Sequence, residues 1–211
     1  MVHVLPHWNW AGREGQNIPV MAYSNGEEVE LFLNGKSLGR KKCLSEPVEI
    51  PVGDNISKDH KYSTKYRLLW QVPYQAGVLK AVAYQGGKQV AVDEIHTAGA
   101  PAKVKLIVDR KAIQADGEDL SFLTVRIEDK DGNVVPEADN LVRFNVTGAG
   151  SIAAVDNGNA ATVESFQAHE RKAFNGLALL IVRSQSGHKG AIHVTATSEK
   201  LTQAAAELTA K

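Results

Sequence analysis

Cysteine is nearly absent. The single thiol, Cys43, excludes an intramolecular disulfide, so any core must hold without a covalent cross-link. A charge excess is missing as well. Lys+Arg and Asp+Glu both number 24, whereas a nucleic-acid binder carries a basic surplus, so nucleic acid is set aside as a partner. No apolar run approaches the roughly 18 residues needed for a membrane-spanning helix, and no membrane partner is expected. A secretory leader pattern is missing too: Met1 runs straight into strand-like sequence holding His3, Pro6 and His7.

Catalytic and metal-binding patterns are equally scarce. The chain has no GxSxG elbow and no CxxC pair. Its seven histidines are His3, His7, His60, His96, His169, His188 and His193. His3 and His7 are four apart, a spacing that shares one face of a helix, but Pro6 lies between them. Asp129-Lys130-Asp131-Gly132-Asn133 begins like a calcium loop, yet Val134 and Asn140 stand where an EF-hand needs Gly and Glu. A hairpin turn toward Val134-Val135 is the simpler reading. No metal and no cofactor is expected. Cys43 follows Arg40-Lys41-Lys42, cations that can lower a thiol pKa; an ordinary residue at a hairpin end is the reading adopted. The carboxylates occur as neighbours, Glu27-Glu28, Asp93-Glu94, Glu118-Asp119 and Glu128-Asp129. Adjacent strand residues point to opposite faces, so none of these pairs can flank a substrate. Glu27, Glu118 and Asp119 read as turn and rim residues, and no catalytic residue is assigned.

What the chain does have is alternation. Val29, Leu31 and Leu33 share one face, and Asn34-Gly35 follows, a dipeptide suited to a turn with positive φ at both positions. Tyr66 to Val72 and Val78 to Tyr84 are further strands, the latter turned by Gly86-Gly87. After Thr97-Ala98-Gly99-Ala100-Pro101-Ala102, a stretch of small residues, a second series begins. Val104, Leu106 and Val108 form one face; so do Leu123, Val125 and Ile127, then Val142, Phe144 and Val146, then Ile192, Val194 and Ala196. Leu177 to Val182 is apolar on both faces, as in a central strand. Thr202 to Leu208 is rich in alanine, which favours helix, but its position favours a closing edge strand. The pattern predicts an all-β chain of two tandem β-sandwiches, residues 1–98 and 101–211. It excludes a (β/α)8 barrel, which takes about 250 residues.

Trp8 and Trp10 lie two apart in Pro6-His7-Trp8-Asn9-Trp10, and on a strand they face the same way. Aromatic faces can stack on sugars, although anchoring to a core or a neighbouring domain is the simpler role. Trp70 and Tyr74 read as packing residues. Asp156-Asn157-Gly158-Asn159 reads as a loop held by Asx-type hydrogen bonds.

Pro6-His7-Trp8-Asn9-Trp10, Ile18-Pro19-Val20, Ser24-Asn25-Gly26 and the run from Glu28 to Gly39 resemble the segment after the catalytic barrel in glycoside hydrolase family 2 enzymes of the β-galactosidase type. Ala102-Lys103-Val104, Asp116 to Leu120, Val125 to Asp129 and Asp156 to Asn159 resemble that family's C-terminal immunoglobulin-like domain. The resemblance covers nearly the whole chain and implies two tandem immunoglobulin-like β-sandwich domains. It also implies a parent that hydrolyses a β-glycoside with retention, using two barrel glutamates outside these residues. Such a parent is periplasmic or extracellular in a bacterium. The implied partner is the catalytic barrel, contacted through His7, Trp8, Asn9 and Trp10, with oligomer contacts as a further role. A carbohydrate-binding module and a cell-surface adhesion or spacer pair are the alternatives.

Overall fold

The computed structural model describes residues 1–44, 47–49, 61–63 and 65–211, with the side chains of 47–49 and 61–63 left aside. The described chain is all-β. It divides into two compact units, Met1–Thr97 and Ala98–Lys211.

The first unit contains β1 (Val2–Leu5), β2 (Asn17–Ser24), β3 (Glu28–Leu33), β4 (Lys36–Lys42), β5 (Pro47–Glu49), β6 (Lys61–Ser63), β7 (Arg67–Pro73), β8 (Val78–Gln85) and β9 (Lys88–His96). Its sheets run β1-β2-β7 and β4-β3-β8-β9, with β5 and β6 forming a separate pair. The alternation in β3 buries Val29, Leu31 and Leu33. The β3–β4 hairpin closes on Asn34 and Gly35 at φ 50° and 80°, as the dipeptide predicted. Gly86 and Gly87, both at positive φ, turn β8 into β9. The core joins the two sheets through Ile18, Val20, Leu31, Leu68, Val72 and Leu79, together with Trp8, Trp70 and Tyr74.

The second unit contains β10 (Lys103–Val108), β11 (Ala112–Ile113), β12 (Leu120–Glu128), β13 (Leu141–Gly148), β14 (Gly150–Asp156), β15 (Glu170–Lys172), β16 (Leu177–Ser184), β17 (Gly190–Ser198) and β18 (Ala204–Ala210). The sheet orders are β10-β12-β16-β14 and β11-β18-β17-β13-β15. The predicted inward faces of β12 and β17 are buried in one aliphatic core. The alanine-rich end of the chain is a strand, because pairing with β17 over seven residues outweighs the modest helix preference of alanine. It is not the outermost strand, since β11 pairs with it in parallel.

One predicted turn differs. Residues after β12 do fold back, with an isolated bridge between Glu128 and Val134, but Asp131-Gly132 is not a two-residue hairpin. Gly132 has φ 92° and Asp131 does not share the positive-φ region. The loop is instead organised by the Asp129 carboxylate.

Candidate functional site

The segment between β1 and β2 holds Pro6-His7-Trp8-Asn9-Trp10. Pro6 follows β1 and has no N–H to donate to a ladder, so residues 6 to 16 form a loop rather than a strand. The two tryptophans therefore do not share a strand face, which corrects the sequence expectation. Trp8 is fully buried. Its ring meets Tyr74 edge-on at 5.3 Å, and its Nε1 donates to the Gln75 carbonyl at 2.9 Å. The Thr97 hydroxyl donates to the Trp8 carbonyl at 2.6 Å. Trp8 thus joins the beginning of the unit to its end, and its indole is out of reach of any ligand.

Trp10 has the other fate. It is half-buried, with the His7 ring stacked on it at 4.6 Å. Its Nε1 donates to the His7 carbonyl at 2.9 Å, and the Arg13 guanidinium carbon lies 5.5 Å from its ring centre. One indole face is therefore already taken. Asn9 is buried, and its N–H donates to His7 Nδ1 at 3.3 Å. Main-chain bonds from Arg13 to Trp10, Gln16 to Arg13, Gly15 to Tyr74 and Tyr74 to Gln16 close the loop. His7 and Trp10 stay partly exposed, whereas Asn9, like Trp8, is buried, which corrects its place among the predicted contact residues.

The remaining polar residues singled out in the sequence have structural employment. Asp129 is nearly fully buried. Its carboxylate accepts from the N–H groups of Gly99, Asp131 and Asn133, each at 2.9 Å, and from the Asn133 side chain at 3.0 Å. Burial alone pushes its pKa up, but these donors outweigh burial and hold it well below the usual carboxylate range. Oxygens so committed leave the calcium reading no support. Glu27 accepts from the Gly86 N–H at 2.7 Å and Gln85 at 2.8 Å, tying down the β8–β9 turn. Asp119 accepts from the Gln114 N–H at 2.8 Å and from Arg110 at 2.9 Å. Asp156 and Asn157 cap their own turn through the N–H groups of Asn157, Gly158 and Asn159. Cys43 is half-buried and burial pushes its thiol pKa up, the reverse of activation. Among the described residues no group of three or more His, Cys, Asp or Glu is placed to hold a metal.

Sequence reasoning missed Arg171. Its side chain is fully buried. Nη2 donates to the carbonyls of Val155 and Ser165, both at 2.9 Å, and Nη1 to that of Glu164 at 3.4 Å. The Glu164 carboxylate lies 3.5 Å away. Arg171 thereby pins the loop between β14 and β15, and no local pattern distinguishes it from a surface arginine.

Known proteins agree with this architecture. Residues 104–207 match the family model described as glycoside hydrolase family 2 C-terminal domain 5, and residues 15–91 match a domain of unknown function (DUF4982). The whole chain is 43% identical to the beta-galactosidase BoGH2A of Bacteroides ovatus and spans 22% of that protein's length. A solved glycosyl hydrolase family 2 member from Bacteroides cellulosilyticus superposes with a TM-score of 0.83 at 39% identity, over 98% of this chain and 24% of its own. A beta-glycosidase from Bacteroides vulgatus superposes with a TM-score of 0.86 at 32% identity, over 99% of this chain and 24% of its own. The two units are thus accessory β-sandwiches. The chain belongs to glycoside hydrolase family 2, as a C-terminal region of that family.

Proposed function

We propose that this chain is the non-catalytic tail of a β-galactosidase-like enzyme that cleaves β-glycosidic bonds with retention. Its role is to support the catalytic barrel, with the partly exposed His7 and Trp10 as the contact and the buried Trp8 and Asn9 as internal supports. The observation that carries this reading is the 43% identity, sustained over the whole chain, to part of a beta-galactosidase.

The test compares the full-length protein, a version lacking these 211 residues, and this chain alone on a chromogenic β-galactoside. The chain alone should be inactive. The truncated enzyme should lose activity rapidly on warming, and Trp10→Ala in the full-length protein should shorten its half-life at the same temperature. A truncated enzyme as durable and active as the intact one would remove the supporting role. Sugar binding at the tryptophans is disfavoured, because Trp8 is in the core and His7 covers one face of Trp10. Titrating tryptophan emission with galactose, lactose and β-glycans should therefore give no saturable change.

A further inference from the structure

The two outward faces of the second unit differ in kind. On the β11-β18-β17-β13-β15 sheet the outward positions are polar: Arg143, Asn145, His193, Thr197, Glu207 and Thr209 are all exposed. That is the ordinary solvated side of a sandwich. The outward side of β10-β12-β16-β14 departs from it. Strand pairing sets Phe122 beside Ile181 and Ile181 beside Ala154. The next row sets Ile107 beside Thr124 and Thr124 beside Leu179. Leu177 follows, beside Arg126. Directly paired residues on one face lie about 4.5–5.5 Å apart, so Phe122, Ile181 and Ala154 form an apolar row, with Ile107, Leu179 and Leu177 flanking it around Thr124. Ile107, Phe122 and Leu177 are 39%, 38% and 40% exposed.

β16 shows the anomaly in a single strand. Ala178, Leu180 and Val182 fill the core, which accounts for one face. Leu177, Leu179 and Ile181 point the other way; the central position that the sequence pattern suggested is observed, but it accounts for the core face alone, not for an apolar outward one. A strand apolar on both sides is normally covered on both sides, and exposed apolar rows of this kind mark interaction surfaces.

Charge says what kind of surface fits. Lys105, Arg126 and Arg183 share this face by register, and none of them is ion-paired among the described residues. Of the carboxylates on the same face, Glu128 lies 3.8 Å from Lys103, and Asp156 is occupied by its own turn. Asp156 keeps its negative charge, but Lys105, Arg126 and Arg183 outnumber it, so the face is net cationic. A second copy of the same face would bring like charge against like charge, whereas an acidic rim would complement it.

We propose that the outer face of the β10-β12-β16-β14 sheet docks another domain of the same polypeptide, one with an apolar centre ringed by Asp and Glu. This rests on reading the chain as part of a longer glycosidase. The beta-galactosidase relative, of which the chain spans 22%, has ample further sequence to supply such a domain.

Hydroxyl-radical footprinting read by mass spectrometry tests the docking in two samples, the 211-residue chain and the full-length protein. Phe122, Leu177, Leu179 and Ile181 should be labelled readily in the chain and several-fold less in the full-length protein. Reversing the rim with Lys105→Glu, Arg126→Glu and Arg183→Glu should restore labelling in the full-length protein, while Leu180 stays protected and reports an intact fold. Equal labelling of the face in both samples would overturn the proposal. So would sedimentation showing that the isolated chain dimerises and that Ile181→Glu abolishes the dimer, since a second copy would then be the occupant. A full-length protein inactive on all β-glycosides would instead sink the functional reading, whatever the footprint.

Discussion

Two loops of similar length are held in opposite ways. In the first unit the segment from Pro6 to Gln16 is fastened by an indole: Trp8 enters the core and spends its single N–H on the Gln75 carbonyl. In the second unit the loop between β14 and β15 is fastened by a cation: Arg171 is equally buried and gathers the carbonyls of Val155, Glu164 and Ser165. The indole gains mainly from area removed from water and dispersion contacts. The guanidinium gives up hydration and recovers it through carbonyls, incompletely, since its Nε has no hydrogen-bond partner among the described residues. An apolar anchor tolerates a smaller apolar substitute. A polar anchor does not, because its removal strands every acceptor it served.

The largest expected effect is at Trp8. Trp8→Ala should cost about 3–5 kcal/mol, and Trp8→Phe clearly less. Urea unfolding followed by tryptophan emission measures this, and all three tryptophans, Trp8, Trp10 and Trp70, lie in the first unit. Arg171→Met should come next, at about 3 kcal/mol, from the stranded carbonyls. Calorimetry reads that loss, and new proteolytic cuts should appear between Asn157 and His169. A Met substitution that proved neutral would erase the distinction between the two anchors.

Asp129→Ala should cost about 2 kcal/mol by releasing four N–H donors. Its pH dependence has a definite sign. The folded-state pKa lies below the unfolded value, so its stabilisation is present above roughly pH 4 and is lost as pH falls toward the folded value. The wild-type chain should therefore lose stability more steeply on acidification than the variant, as thermal melts across that range would show. Trp10→Ala should be the smallest, under about 1 kcal/mol in the 211-residue chain, since the ring is half-buried and held by stacking and a cation contact. A cost near that of Trp8 would mean that the two tryptophans act as one anchor.

Much of the fold was legible because its signals are local. The period-two faces of β3, β12 and β17 depend only on alternation, and the Asn34-Gly35 turn on the positive φ that Gly, and to a lesser degree Asn, accept. The Asp156–Asn159 turn was legible for the same reason. The contact segment was legible as residues but not as geometry. Pro6 ended the strand that would have aligned Trp8 with Trp10, and whether an indole lies in a core depends on Tyr74 and Gln75, which are distant in the chain.

The sequence by itself determined the all-β class, the run of strands, and the resemblance to glycoside hydrolase family 2, because these rest on short-range periodicity and on runs of neighbouring residues. Only the tertiary structure decided that Trp8 is an anchor and Trp10 a surface residue. It alone decided that Asp129 is a loop clamp rather than a cation ligand, that Arg171 is buried, and that β16 carries an apolar outer face beside Phe122 and Ile107. Each of those outcomes turns on which distant groups meet, and burial and register across strands, unlike alternation within one, are properties of the assembled sheets.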